Sequence, residues 1–234
     1  MVNDTGKGMK KNLIYFIYWS PKNGMLEYNL SLLERYLHLF DGQILLISAG
    51  YDLFEHEEIA IEYFGDDLYE KMVIVPNDPI NGEKEYFKKA LNLLPKDDSI
   101  TFYAHAKGVS RVVNDPLRWW VKLLYEGNLE TLPNMETNLF SGCFGKLRPS
   151  RQCPLGWHYS GSFFWFKTRQ VLERYEKTKI PKEIDNRWFT ENFPALIAKQ
   201  DEAEFRLWSG NERKMNFYAY DWWNRHPEIK RLAL

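Results

Sequence analysis

The apolar run Leu13 to Trp19 (L-I-Y-F-I-Y-W) opens the regular pattern of the chain. A run that short, with no polar alternation, predicts a strand buried on both faces. Ser20-Pro21-Lys22-Asn23-Gly24 reads as a turn, after which Leu30, Leu33, Leu37 and Phe40 recur at helical spacing across 26–40. Asp41-Gly42 ends that helix. The pattern then predicts a strand at 43–48 (Q-I-L-L-I-S), one or two short acidic helices within 55–71, and a strand at 72–76 (M-V-I-V-P). A helix follows at 82–94, with Tyr86, Phe87, Ala90 and Leu91 inward, and then a fourth strand from Ile100 to Tyr103 beyond a polar turn.

The second half is less regular. Asp115 to Leu129 reads as a helix with Asp115 as its cap and Pro116 in its first turn. Loop and strand are expected across 137–147, and a glycine-hinged turn leads into an aromatic strand across 156–166. Helices are expected at 168–177 and 186–198, followed by an aromatic tail at 216–227. Strands alternating with helices over short connections predict an α/β fold: a mostly parallel central sheet flanked by helices, in a single domain.

The stretch Ser99 to Arg111 (S-I-T-F-Y-A-H-A-K-G-V-S-R) has the most chemical promise. His105 and Lys107 lie two residues apart at the end of the fourth strand, and Gly108 releases the chain into a loop. In open α/β sheets ligands bind beyond the carboxyl ends of the strands, so a phosphate-bearing ligand is one reading. The other is a histidine that caps a strand beside a solvated lysine.

Composition narrows the classes. A hydrophobic fraction of 44%, a charged fraction of 27% and a net charge of −1 describe a soluble globular chain. No strongly basic face is available for general nucleic-acid binding. Aromatic residues reach 16%, with 9 Trp, which fits either stacking surfaces for flat ligands or an aromatic core. Two cysteines, Cys143 and Cys153, make neither a metal cluster by themselves nor a secreted disulfide framework. The polar segment 1–12 lacks the apolar centre of a signal peptide and reads as a disordered arm, and no run is long enough for a membrane span. A cytoplasmic setting is the expectation. Gly6-Lys7-Gly8 is not a phosphate loop, the turn after the first strand has one glycine where a dinucleotide fingerprint needs three, and no G-x-S-x-G elbow occurs.

Four blocks together resemble a known family: F-Y-A-H-A-K-G-V-S-R (102–111), the Trp119-Trp120 helix, W-H-Y-S-G-S-F-F-W-F-K (157–167) and R-W-F-T-E-N-F-P (187–194). They are similar to a bacterial and viral glycosyltransferase group of GT-A-like (Rossmann-like) fold, with H-x-K-G in place of the usual Asp-x-Asp metal site. The resemblance spans roughly 72–195. It implies a domain at 13–234 whose first half, 13–114, binds a nucleotide sugar and whose second half, 115–234, binds a glycan acceptor. The implied activity is transfer from the nucleotide sugar to a glycan or polysaccharide, as in polysaccharide biosynthesis.

The departure from Asp-x-Asp matters, because His105-Ala106-Lys107 cannot hold a hard cation. Asp97 and Asp98 precede the strand, at the wrong end of the sheet. No metal site is expected, and a divalent metal is not expected to be required. Cationic Lys107, with His105 and Arg111 assisting, would instead stabilise the leaving diphosphate. Glu191 matches the place of the catalytic base, or is a first-turn glutamate complementing its helix dipole. Trp19, Ser20, Asn77 and Asp78 would border the donor nucleoside, and Ser160 and Gly161 the donor sugar. His158, Trp157 and Trp188 would meet the acceptor, with Trp165 a further aromatic surface. Asp221, Trp222 and His226 either close over the donor phosphates or strap the tail to the surface. Two other readings remain: a non-catalytic sugar- or nucleotide-binding module that has lost its metal site, and an unrelated transferase such as a methyltransferase.

Overall fold

The computed structural model describes residues 8–18, 24–50, 58, 61–69, 72–76, 78, 80–212 and 216–234. The first apolar run forms β1 (Lys11–Tyr18), buried on both faces at the centre of the sheet. Leu13, Tyr15 and Ile17 enter one core layer, while Ile14 and Phe16 enter the other. That is what a period-2 chain inside a covered sheet requires. β1 starts at Lys11 and Asn12 is buried, so the end of the expected arm belongs to the sheet. The Asn12 amide donates to Ser99 Oγ at 2.8 Å, and its oxygen accepts from the Gln43 N–H at 2.7 Å, which satisfies a polar side chain inside the core.

Four parallel strands make the first half: β1, β2 (Ile44–Gly50), β3 (Val73–Pro76) and β4 (Ile100–His105), in the order β3-β2-β1-β4. Among the described residues, the helical segments between them are α1 (Met25–Glu34), residues 61–64, α2 (Asp66–Tyr69) and α3 (Lys84–Leu93). The helix expected to reach residue 40 ends at Glu34, and a 3₁₀ turn at Leu37–Leu39 carries the rest of the stripe. α4 (Asp115–Leu129) keeps its expected bounds, but Asn114 is the cap: its Oδ1 accepts from the Leu117 N–H at 2.9 Å.

The second half turns the sheet mixed. β7 (Phe164–Lys167) runs antiparallel to β4 and to β5 (Phe140–Lys146). The two-residue β6 (His158–Tyr159) continues along the same edge of β5, and β8 (Ala203–Gly210) pairs in parallel along the other. β8 is not among the strands expected from the sequence, and none of its residues is fully buried. α5 (Thr168–Lys177) and α6 (Phe189–Ile197) cover the layer that holds Phe16 and Phe87, and α4 covers the opposite face.

The tail forms α7 (Tyr220–Arg225) and α8 (Pro227–Ala233). It is strapped down by its aromatic side chains: these enter the core, while Asp221, Asn224, Arg225 and Glu228 stay exposed. Trp222 and Trp223 are 1% and 0% exposed, and Phe217 stacks on Trp120 at 4.9 Å. His226 ties the tail to the segment before it, with Nδ1 2.8 Å from the Trp222 carbonyl and Nε2 2.8 Å from Glu212. Trp120, Trp157 and Trp165 are likewise buried, so most of the tryptophan surplus builds the interior.

Candidate active site

β4 delivers the candidate residues to its carboxyl end. The backbone of Lys107 is held by Asn29 of α1: Asn29 Oδ1 accepts the Lys107 N–H at 2.9 Å and Asn29 Nδ2 donates to the Lys107 carbonyl at 2.9 Å. Tyr125 from α4 also donates to Asn29 Oδ1, at 3.1 Å, so the amide is fixed from both helices. Gly108 then turns away at φ +83, and a Cβ there would meet Leu117 at 2.8 Å. Only glycine meets both demands. The Lys107 ammonium lies over the Trp120 indole, 5.1 Å from the ring centroid.

His105 takes a different course from Lys107. Its ring is largely covered at the end of β4, with Nε2 2.8 Å from the carbonyl of Gly161 and Nδ1 3.5 Å from Glu83 Oε2. A carbonyl only accepts, so Nε2 carries the proton, and the Nδ1–Glu83 approach is longer than a hydrogen bond. Burial pushes the His105 pKa below its ordinary value; Glu83 opposes that shift, Lys107 adds to it, and the Gly161 carbonyl opposes it. The other Glu83 oxygen accepts from Thr190 Oγ1 of α6. His105 is thus a strut between α3, β4 and the turn before β7, and it is not a cation displayed beside Lys107.

Gly161 has φ +97, and a Cβ on it would lie 3.0 Å from Leu124 and 3.2 Å from Trp120. The next residue, Ser162, is at φ +57, the single positive-φ position among the described non-glycine residues. This tight turn aims the Gly161 carbonyl at His105 and packs its Cα against α4.

Glu191 lies in the first turn of α6, half-buried. Burial raises its pKa, and the Lys107 ammonium, first among the opposing influences, draws it back. Cys153 Sγ donates to Glu191 Oε2 at 3.5 Å. His158 on β6 is 5% exposed, and its Nδ1 has no hydrogen-bond partner. Burial and the Lys146 charge lower the His158 pKa to about 4, so the ring is neutral near pH 7. Cys153, His158 and Glu191 each bring one ligand-type atom within 4.8 Å of the other two.

The remaining expected site residues scatter. Asp78 accepts from the Ile80 and Asn81 N–H groups at 3.0 and 2.9 Å and from Asn81 Nδ2 at 2.9 Å, so its carboxylate closes the turn that leads to α3. Those bonds, the Asn81 ones foremost, lower its pKa. The Arg111 guanidinium lies 5.1 Å from the Tyr218 ring, against the tail. Trp157 is 4% exposed, meets Tyr159 and Phe205 edge-on at 5.6 and 5.7 Å, and offers no free face for stacking. Trp165 is fully buried and donates to the Asn128 carbonyl. Trp188 is half-buried with Arg187 over its ring at 5.6 Å, and Ser160 donates its N–H to the Phe144 carbonyl. Trp19, Ser20 and Asn77 lie outside the described residues.

Asn29 and Cys153 are not among the expected site residues. Glu83 directly follows Gly82 at a helix start, beside the expected donor site, a signal that the chain alone carries. Nothing local marks Asn29, because its partner lies 78 residues away.

Comparison with protein-family models finds no match, and comparison with curated proteins finds none. Among solved structures, 4-diphosphocytidyl-2C-methyl-D-erythritol synthase from Anaerococcus prevotii is similar at 11% identity and a TM-score of 0.49, over 94% of this chain and 96% of that one. Glucosyl-3-phosphoglycerate synthase from Mycobacterium tuberculosis with UDP is similar at 13% identity and 0.45, over 89% and 73%. The same enzyme with Mn²⁺, UDP-glucose and glycerol 3-phosphate is similar at 13% and 0.39, over 96% and 77%. At these identities and scores the likenesses carry no statement about the chemistry of this chain.

Proposed function

We propose that the chain is a glycosyltransferase that moves a sugar from a nucleotide-sugar donor to a glycan or polysaccharide acceptor, with Lys107 in the place of a metal at the leaving diphosphate. The supporting observation is that Lys107, at the carboxyl end of β4, is electrostatically coupled to the half-buried carboxylate of Glu191. A cation at the strand end and a base whose pKa burial raises and that cation draws back are what an inverting transfer asks of a protein. The acceptor hydroxyl proton passes to Glu191 as its oxygen bonds the anomeric carbon. The bond from that carbon to the donor diphosphate breaks, its electron pair stays on the diphosphate oxygen, and Lys107 neutralises the charge. His105 acts by holding the Gly161 turn against the end of β4.

No helix among the described residues is long and apolar enough to cross a membrane. A cytoplasmic enzyme of polysaccharide synthesis, with no nucleic-acid partner, fits this reading.

One observation favours the alternative of a non-catalytic sugar- or nucleotide-binding module: both His105 nitrogens face protein groups, so the H-x-K-G motif offers a single free cation. Hydrolysis of UDP-, GDP-, dTDP- and CMP-sugars, with and without EDTA, separates the two. Slow donor hydrolysis that survives EDTA and is lost in Lys107→Ala is the expected result. Hydrolysis abolished by EDTA keeps the transferase and removes the metal-free mechanism. Donor binding without turnover leaves the binding module.

A further inference from the structure

Cys153, His158 and Glu191 come from two separate segments. The first two flank the turn that enters β6, and the third projects from α6. Their ligand-type atoms lie within 4.8 Å of one another. Around a tetrahedral zinc ion, metal–ligand distances of about 2.0–2.3 Å set ligand–ligand separations of about 3.3–3.6 Å. The Cys153 Sγ to Glu191 Oε2 distance of 3.5 Å already has that value. His158 is a buried imidazole with an unpartnered nitrogen, so no protein bond competes for it.

The supports of the cluster are also in place. The Cys153 N–H donates to Ser150 Oγ at 3.0 Å, and the Ser150 N–H donates to the Cys153 carbonyl at 2.9 Å, closing the loop around the thiol. Asn192, next to Glu191, donates to the Gln152 carbonyl at 2.9 Å and so ties that loop to α6. Such outer-shell bonds fix ligand orientation in metal sites.

We propose that Cys153, His158 and Glu191 form a three-ligand site for a borderline divalent cation, zinc foremost, with the fourth position left to a ligand from outside the chain. One thiolate, one imidazole and one carboxylate select zinc over magnesium or calcium, which take oxygen ligands. Binding replaces the S–H bond of Cys153 with an S–metal bond, and the thiol proton leaves to solvent. The site stands on its own geometry and does not need the transferase reading. If that reading holds, ligation makes Glu191 a poorer base, so zinc occupancy and proton abstraction exclude each other.

The test uses the whole chain, stripped with EDTA, desalted and titrated with Co²⁺. The expected result is one cobalt per chain, with a thiolate-to-cobalt charge-transfer band and the visible absorption of a tetrahedral site, all displaced by one equivalent of Zn²⁺. Cys153→Ser should lose the charge-transfer band, whereas Cys143→Ser should retain it. Glu191→Gln, nearly isosteric and independent of the cysteine change, should weaken binding by more than tenfold. Asn192→Ala leaves the ligands intact and should weaken it by roughly 10–100-fold. A wild-type chain that shows no thiolate band, or a band that persists in Cys153→Ser, overturns the site. So does equal affinity in Glu191→Gln and wild type. All of these readouts are independent of turnover, so the failure of one proposal is distinguishable from the failure of the other.

Discussion

Asn29 grips the backbone of Lys107 on both sides, accepting its N–H and donating to its carbonyl, each at 2.9 Å. A side-chain amide thereby continues the ladder beyond the end of β4 and holds the lysine Cα where no strand partner reaches. Asn29→Ala should cost about 1–3 kcal/mol of stability in urea unfolding, because a buried N–H and carbonyl lose their partners. It should also lower donor turnover with the lysine still present. Unchanged turnover in a folded Asn29→Ala chain would detach Lys107 positioning from function.

Lys107→Ala should reduce donor hydrolysis by roughly 10²–10³-fold, the scale on which a single preorganised charge acts. Lys107→Arg should recover part of it, since the charge is kept but its placement over Trp120 changes. Equal rates for wild type and Lys107→Ala would remove the lysine from the reaction.

Glu191→Gln should leave the fold intact and reduce transfer to an acceptor by about 10²–10⁴-fold, the range for loss of a general base. Donor binding, followed by calorimetry, should persist. A variant that transfers at the wild-type rate sinks the assignment of the base.

The His105 pKa lies below its ordinary value because the ring is buried, so the folded state binds fewer protons than the unfolded chain beneath about pH 6.5. Its contribution to stability is present above that pH and is lost as pH falls through the folded value. His105→Gln should therefore flatten the acid limb of a stability–pH curve relative to wild type. Parallel curves for the two proteins would refute this.

Gly161→Ala should destabilise by about 1–3 kcal/mol, since its φ of +97 is costly for any side chain and the new Cβ presses on Leu124 and Trp120. Thermal unfolding measures it, and a neutral result would mean that the turn relaxes freely.

The sequence by itself determined the α/β alternation, because burial on both faces leaves an uninterrupted apolar run at β1, and Asp115-Pro116 marked the start of α4. It also marked Lys107, as a cation at the end of the fourth strand, and through the family resemblance Glu191, as candidates. Tertiary structure decided the rest. β8 alternates Ala203, Phe205 and Leu207 with Glu204 and Arg206, but it lies at an edge where none of its residues is fully buried, and only pairing with β5 makes it a strand. Trp157 and the tail tryptophans look the same in sequence whether they line a cleft or a core, and only packing sends them inward. His105 becomes a strut because Glu83 and Gly161, distant in sequence, close on its two nitrogens. Cys153 was one of two isolated cysteines until α6 brought Glu191 to 3.5 Å from its sulfur. A ligand set spread over separate elements has no sequence spacing to announce it, since the distances that matter are made only when those elements pack.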